Sequence, residues 1–463
     1  MNIFRTKPIE EYLHNIQQSH LKKTLTAFDI TMLGLGIIIG TGIFVLTGVV
    51  AAKYAGPAIM LSFVLAGITC AFVAMAYSEL AAALPVAGSG YTYAYSTLGE
   101  FFAWAVGWGL ILEYSVGAAT VAIGWSAYFN GLLKAAGIHL PQALTAGPFD
   151  GGIINLPAIA IILIITGLLI RGMHESAKVN RILVFIKVAA IFIFLFIAAP
   201  NINPANWEPF MPFGWSGVSA GTAIIFFAYI GFDCIATAAE EAKNPNRDMP
   251  IGIIMSLLIC TLLYIAVSAA LTGVVPYPEL DTAEPVAYVL RYLGHNFGSA
   301  LVGTGALCGL STVILVFIYA QTRAFFAMSR DGLLPNVFSQ VHPKYGTPVK
   351  ITILVGVCVA ALASFTPIHV IAEMTSAGTL FAFLCSLVGV VLLRRRHPEL
   401  NRPFKCPALY FMATIGFIFS AYIFLNLSAH TFELFGFWLT IGLIIYASYG
   451  YKHSHLNISE KKN

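Results

Sequence analysis

The 463-residue chain is 58% hydrophobic and only 10% charged, with a mean hydropathy of +0.82. Soluble domains carry about 45–50% apolar and about 25% charged residues, so this composition excludes a water-exposed globule and defines an integral membrane protein. A net charge of +4 is too small, and its basic residues too dispersed, for a nucleic-acid surface.

A membrane-crossing helix needs about 20 mainly apolar residues. Reading between charged or Pro/Gly-rich breaks predicts an all-α protein with 12 transmembrane helices, at 28–49, 57–82, 101–131, 153–170, 179–199, 218–239, 251–274, 300–328, 350–366, 370–393, 408–427 and 433–450. Residues 1–27 form a cytoplasmic N-terminal segment, 28–450 one membrane domain and 451–463 a cytoplasmic tail. The longer connections, 132–152, 275–299, 330–349 and 394–407, read as short loops.

The basic residues give an independent topology. Assigning both termini and the even-numbered connections to one side gives that side 21 of the 25 Lys and Arg residues. Lys53, Lys134 and Arg291 fall on the other side, and Lys187 lies inside the fifth segment. By the positive-inside rule both termini are cytoplasmic, and Lys22-Lys23 and Arg394-Arg395-Arg396 read as interfacial anchors. The first 27 residues are too polar for a secretory signal, so the first span acts as an uncleaved anchor. Of seven cysteines, six lie within spans and Cys406 at a cytoplasmic edge, with no CxxC spacing, so neither a disulfide framework nor a zinc site is expected.

Four glycines, Gly34, Gly36, Gly40 and Gly42, interrupt the first segment within nine positions. Each costs about 1 kcal/mol relative to alanine in a helix interior, which predicts a broken helix there. The sixth segment carries a weaker version, Phe226-Phe227-Ala228-Tyr229-Ile230-Gly231-Phe232-Asp233. Paired interruptions in corresponding segments point to a substrate site, and five-helix units starting on opposite membrane sides form an inverted repeat. The half-helix opening near Gly40-Thr41-Gly42-Ile43 offers N–H groups and partial positive charge to a carboxylate. Carbonyls near Ile38-Ile39, and at Phe227, Ala228 and Ile230, suit an ammonium, so backbone alone can read a free amino acid. No GKS/T loop accompanies these glycines, which disfavours phosphate.

Three intramembrane ionisable residues stand out: Lys187, Glu113 and Asp233. Lys187 either snorkels to the interface or sets its ammonium against the broken first helix, replacing a coupling cation. Glu113 reads as a proton carrier, a counter-charge or a structural hydrogen-bonding acid. Asp233 follows the second break and caps a half-helix or ties it to a neighbour. Glu79, Asp29 and Glu373 lie near segment ends and read as interfacial. Ser311-Thr312 suits either an ion site or helix packing. His174, His342, His397, His453 and His455 fall on cytoplasmic stretches and His139, His295 and His369 on external ones, so no metal, haem or other cofactor is expected and no enzyme constellation emerges.

The run Gly36 to Phe44, the stretch Phe226 to Asp233, the following Ala239 to Pro250, and Ser329-Arg330-Asp331-Gly332-Leu333-Leu334-Pro335 together resemble the amino acid–polyamine–organocation transporters. The bacterial members of the cationic amino acid transporter family are the most similar in look. The resemblance covers nearly the whole chain. It implies a LeuT-type fold with inverted repeats at about 28–199 and 218–366, broken helices 1 and 6, and extra helices at about 370–450. It further implies alternating access, spans 1, 2, 6 and 7 moving against a scaffold containing 3, 4, 8 and 9. Substrate contacts carried over fall on Ile38, Ile39, Thr41, Gly42, Ile43, Phe227, Ala228 and Ile230, with Phe317 facing the substrate side chain and shortening the pocket. Lys187 matches the span-5 lysine of proton-coupled members, which favours proton over sodium, and Glu113 is the second coupling candidate.

A cationic side chain wants a carboxylate at the far end of its pocket, and only Glu113 and Asp233 are available mid-span. The expected activity is therefore proton-coupled uptake of small neutral or broad-range L-amino acids. An obligate exchanger, a cationic amino acid importer and an amino acid sensor are the alternatives. The expected partners are an amino acid, a proton and the lipid bilayer of a bacterial plasma membrane, without nucleic acid or an obligatory protein partner.

Overall fold

Helix α1 (Ala27–Ile38) starts at a capping box. Thr26 N donates to Asp29 Oδ2 at 3.1 Å, and Asp29 N donates to Thr26 Oγ1 at 3.3 Å, satisfying two of the donors every helix start leaves open. The helix stops at Ile38 because Ile39 is extended, with ψ 96. Helical turns resume at Gly42 and run through 42–55, partly as π-helix, before Gly56 (φ +61) reverses the chain into α2 (Ile59–Ala83). The computed structural model describes residues 4–8, 25–84, 89–171, 177–235 and 242–460. Lys22, Lys23, His174 and Ala239 to Glu241, all singled out above, lie outside the described residues, as does the end of the sixth segment.

The chain continues through α3 (Ser89–Thr97), α4 (Glu100–Ala135), α5 (Leu156–Ile170), α6 (Ala177–Ala198) and α7 (Gly214–Ile225), then α8 (Pro245–Val274), α9 (Pro285–Tyr292) and α10 (Asn296–Arg330). It closes with α11 (Val349–Phe365), α12 (Ile368–Arg396), α13 (Leu409–Leu425) and α14 (Ala429–Ile445). Among the described residues there is no strand beyond two isolated bridges, and seven helical runs are long and apolar enough to cross a membrane. Shorter apolar helices, α1, α5, α11 and α13, fill the remaining segments, together with α7. The connection 275–299, anticipated as a loop, contains α9, whose Pro285 at the first turn presets helical φ. The short α3 between α2 and α4 was likewise absent from the expectation.

Two groups of helices form. Helix α8 packs on both α1 and α2, while α4 packs on both α10 and α12, and α5 pairs with α11. In α4, 94% of the most apolar window is buried; in the run containing α14 only 22% is. That contrast makes α4 the central post and α14 a peripheral helix. Three indoles clamp the two together: Trp108 Nε1 donates to Trp438 O at 2.9 Å, Trp438 Nε1 returns the bond to Trp108 O at 3.0 Å, and Trp104 Nε1 donates to Gly442 O at 3.0 Å.

Ionic ties close both ends of the molecule. At one end Gly48 lies so near the segment before α9 that an added Cβ would meet Leu280 O at 2.5 Å, and Lys53 pairs with Asp281 at 2.9 Å. At the other, Arg5 holds Glu100 with two bonds of 2.8 and 2.9 Å, and Lys7 reaches Asp331 at 3.0 Å. Glu79 departs from the interfacial reading. It is fully buried, receives Arg394 and the Cys406 N–H (2.8 Å), and has Arg402 at 3.5 Å. A buried carboxylate is tolerated because these donors replace its water.

The two interruptions touch. A Cβ on Gly42 would lie 2.3 Å from Ala228 Cβ and 2.4 Å from its Cα, so only glycine admits this approach. Replacing it forces backbone apart, and overpacking costs about 1–3 kcal/mol or more. Gly42→Ala is expected to lower the unfolding midpoint in detergent. A midpoint equal to that of the native protein would rule out this contact.

Candidate functional site

The second interruption is built from a short 3-10 turn, Phe226–Tyr229, after α7. Ile230 is extended, with ψ 137, and Gly231 takes φ +114, a conformation open to glycine at no steric cost. There a Cβ would meet Ile37 Cγ2 at 2.2 Å, so the glycine also makes room for α1. Between the interruptions lies a narrow cavity lined by Ile37, Ile38, Gly40, Thr41, Gly42, Val121, Phe227, Ile230, Val313 and Phe317. It offers about 10 Å³ to the centre of a water-sized sphere, room for about one water.

Its walls are neutral and its ends polar. Thr41 precedes the second half of the first segment, whose opening N–H groups have no partners within their own helix. Thr41 Oγ1 is buried and makes no hydrogen bond among the described residues. The freed carbonyls of α1 and of the second interruption are the opposite pole. Tyr264 of α8 serves both: its hydroxyl lies 2.7 Å from Ile38 O and 2.8 Å from Ala228 O. Behind α1, Lys187 Nζ donates to Gly36 O at 2.6 Å and to Ile39 O at 3.1 Å, with Thr312 Oγ1 at 3.5 Å. Lys187 is fully buried; its side chain runs to the broken helix and does not snorkel.

Six of the nine expected substrate residues line the cavity: Ile38, Thr41, Gly42, Phe227, Ile230 and Phe317. Ile39, Ile43 and Ala228 do not. Ile39 turns its carbonyl to Lys187, and Ala228 is spent on the Gly42 contact and Tyr264. Ile37, Gly40, Val121 and Val313 line the cavity without having been anticipated. The valines carried no signal beyond being apolar in an apolar helix. Tyr264 carried one, because a buried tyrosine hydroxyl finds a partner.

The two candidate acids stand away from the cavity lining. Glu113 is buried against Gly378 and Thr379 of α12, and neither of its oxygens makes a regular hydrogen bond among the described residues. Asp233 is buried just past the second interruption. Ser311 accepts Trp125 Nε1 at 3.0 Å, which gives it a packing role, while Thr312 faces Lys187. Among the described residues no group of three His, Cys, Asp or Glu side chains is arranged to hold a metal.

A helical membrane protein with a narrow cavity between two interrupted helices is, by class, a carrier. The family model described as amino acid permease matches residues 25–455, and the chain belongs to that family. It is 46% identical to the branched-chain amino acid permease BcaP of Bacillus subtilis, over 98% of this chain and 99% of the relative. It is 44% identical to the methylthioribose transporter of the same organism, over the same shares. It is 39% identical to the vacuolar cationic amino acid transporter 4 of Arabidopsis thaliana, over 86% of this chain and 68% of the relative. All three are named as transporters or permeases, in keeping with a role other than catalysis.

Loss of a hydrogen bond that leaves a buried partner unsatisfied costs about 1–3 kcal/mol. Tyr264→Phe strips the hydroxyl from two buried carbonyls. The expected result is a lower unfolding midpoint in detergent, corresponding to about 1–3 kcal/mol. An unchanged midpoint would show that Tyr264 does not tie the two interruptions together.

Proposed function

We propose that the chain imports L-amino acids with small to medium apolar side chains, coupled to protons, by alternating access across a bacterial plasma membrane. The reading takes twelve spans in a LeuT-type arrangement, with inverted repeats at about 28–199 and 218–366, extra helices at about 370–450 and both termini cytoplasmic. One observation carries it: a cavity with neutral walls sits where half-helix ends of opposite polarity converge. The N–H groups around Thr41, Gly42 and Ile43 take the α-carboxylate. The carbonyl ends of α1 and of the second interruption take the ammonium, at lone pairs that Tyr264 does not fill. The side chain then lies among Val121, Val313, Ile230 and Phe317, where a cationic group would meet no carboxylate. The relative named as a branched-chain amino acid permease supports an apolar substrate.

Coupling in this reading runs through Lys187. Its charge strengthens the bonds to Gly36 O and Ile39 O. Loss of its proton weakens them and frees α1 to move. Glu113 is the second proton carrier. The relative named as a methylthioribose transporter favours a second reading, a neutral thioether sugar held by the same apolar wall.

Uptake of radiolabelled isoleucine, alanine, arginine and methylthioribose into proteoliposomes, with and without an inward proton gradient, tests both. Gradient-driven accumulation of alanine and isoleucine is expected, without competition by arginine, and falls at least about tenfold in Lys187→Ala. Equal, gradient-independent uptake by native and variant protein would replace coupled import with exchange or facilitated diffusion. Preference for methylthioribose over both amino acids would establish the second reading.

A further inference from the structure

Resting on the amino acid reading above, we infer that Gly117 is a positioning residue that sets the size of side chain the site accepts, acting through Phe317. Gly117, Val121 and Gly124 occupy one face of α4, at spacings of four and three residues. Val121 lines the cavity. A Cβ on Gly117 would lie 3.2 Å from Phe317 Cε2, 3.4 Å from Cζ and 3.5 Å from Cδ2. One on Gly124 would lie 2.8 Å from Thr41 Cγ2. The same helix face therefore touches both ends of the cavity, the aromatic end through Gly117 and the half-helix end through Gly124.

Phe317 has little freedom to absorb a methyl group. It is 2% exposed, and its ring stacks on Tyr114 with centroids 6.1 Å apart and planes inclined by 30°. The empty space it borders is the cavity. An alanine at 117 therefore moves the ring by a few tenths of an ångström, and the room it takes comes from the substrate side chain. In a void this small such a shift matters for a branched side chain and little for alanine's methyl group. The three atoms nearest a Cβ on Gly117 all belong to Phe317, so its effect falls on the aromatic end and is one of side-chain size. Gly124 is the internal contrast, because a methyl there displaces Thr41, at the end common to every amino acid.

The test compares kcat/KM for isoleucine and alanine uptake in proteoliposomes for the native protein, Gly117→Ala, Gly124→Ala and the double variant Gly117→Ala with Phe317→Leu. A methylene that no longer fits a pocket costs about 10- to 200-fold. The isoleucine-to-alanine ratio is expected to fall about tenfold or more in Gly117→Ala, chiefly through the KM for isoleucine. Removing the ring in the double variant restores the ratio, whereas Gly124→Ala depresses both amino acids together. Equal depression of both by Gly117→Ala, or a shifted ratio that Phe317→Leu does not restore, would overturn the inference and leave the amino acid reading standing. A native protein that transports neither amino acid would overturn that reading, and this inference with it.

Discussion

Backbone polarity in an apolar surrounding is the constraint on which this structure turns. A helix hides its N–H and C=O groups, and each interruption releases several of them where water is scarce and an unsatisfied group costs kilocalories. The chain meets that cost with its own side chains, Lys187 for Gly36 O and Ile39 O and Tyr264 for Ile38 O and Ala228 O. What those side chains leave uncovered is a short row of N–H groups beside an apolar wall. If the site reads an amino acid as proposed, recognition is assembled from main chain, and the surrounding residues decide what size and polarity of side chain fits beside it.

Much of this was legible in the amino-acid string because it rests on backbone cost. Glycine density marked the first interruption, and α1 ends at Ile38 inside that stretch. The extended Ile230 and Gly231 fall in the weaker stretch of the sixth segment. A lysine inside an apolar segment stood out for the same reason, since its charge needs an answer. Val121 and Val313 were illegible, because their membership of the wall follows from how α4 and α10 pack, and any aliphatic residue in those helices reads alike. Glu79 was misjudged on position alone. Its distance from the end of α2 says nothing of Arg394 and Arg402, which arrive from more than 300 residues away. The helices α3 and α9 were missed because eight or nine residues, polar and aromatic in α3 and amphipathic in α9, leave no run of apolar residues long enough to notice.

The charges at the periphery answer a different demand. Arg5 on Glu100, Lys7 on Asp331 and Arg394 on Glu79 each join segments far apart in sequence, at places where removing one partner would strand a buried charge. Such pairs add little to stability over apolar equivalents, yet they define which surfaces meet. They fix the N-terminal segment, the start of α4 and the end of α10 as one assembly. The helices carrying the interruptions, by contrast, are held at the cavity by hydrogen bonds to main-chain carbonyls, which exchange partners at smaller cost than buried ion pairs.

A phenol has a single proton. Tyr264 faces two carbonyl oxygens at almost the same distance, so its one proton is shared and neither oxygen receives a full bond from it. The site is consequently held in a degenerate state, one bond shared between two half-helices with neither fully served. If the site takes an ammonium as proposed, that group supplies a second donor: it takes one oxygen and leaves the phenol to the other. On that reading a single side chain of α8 ties the filling of the site to the two half-helices it bridges.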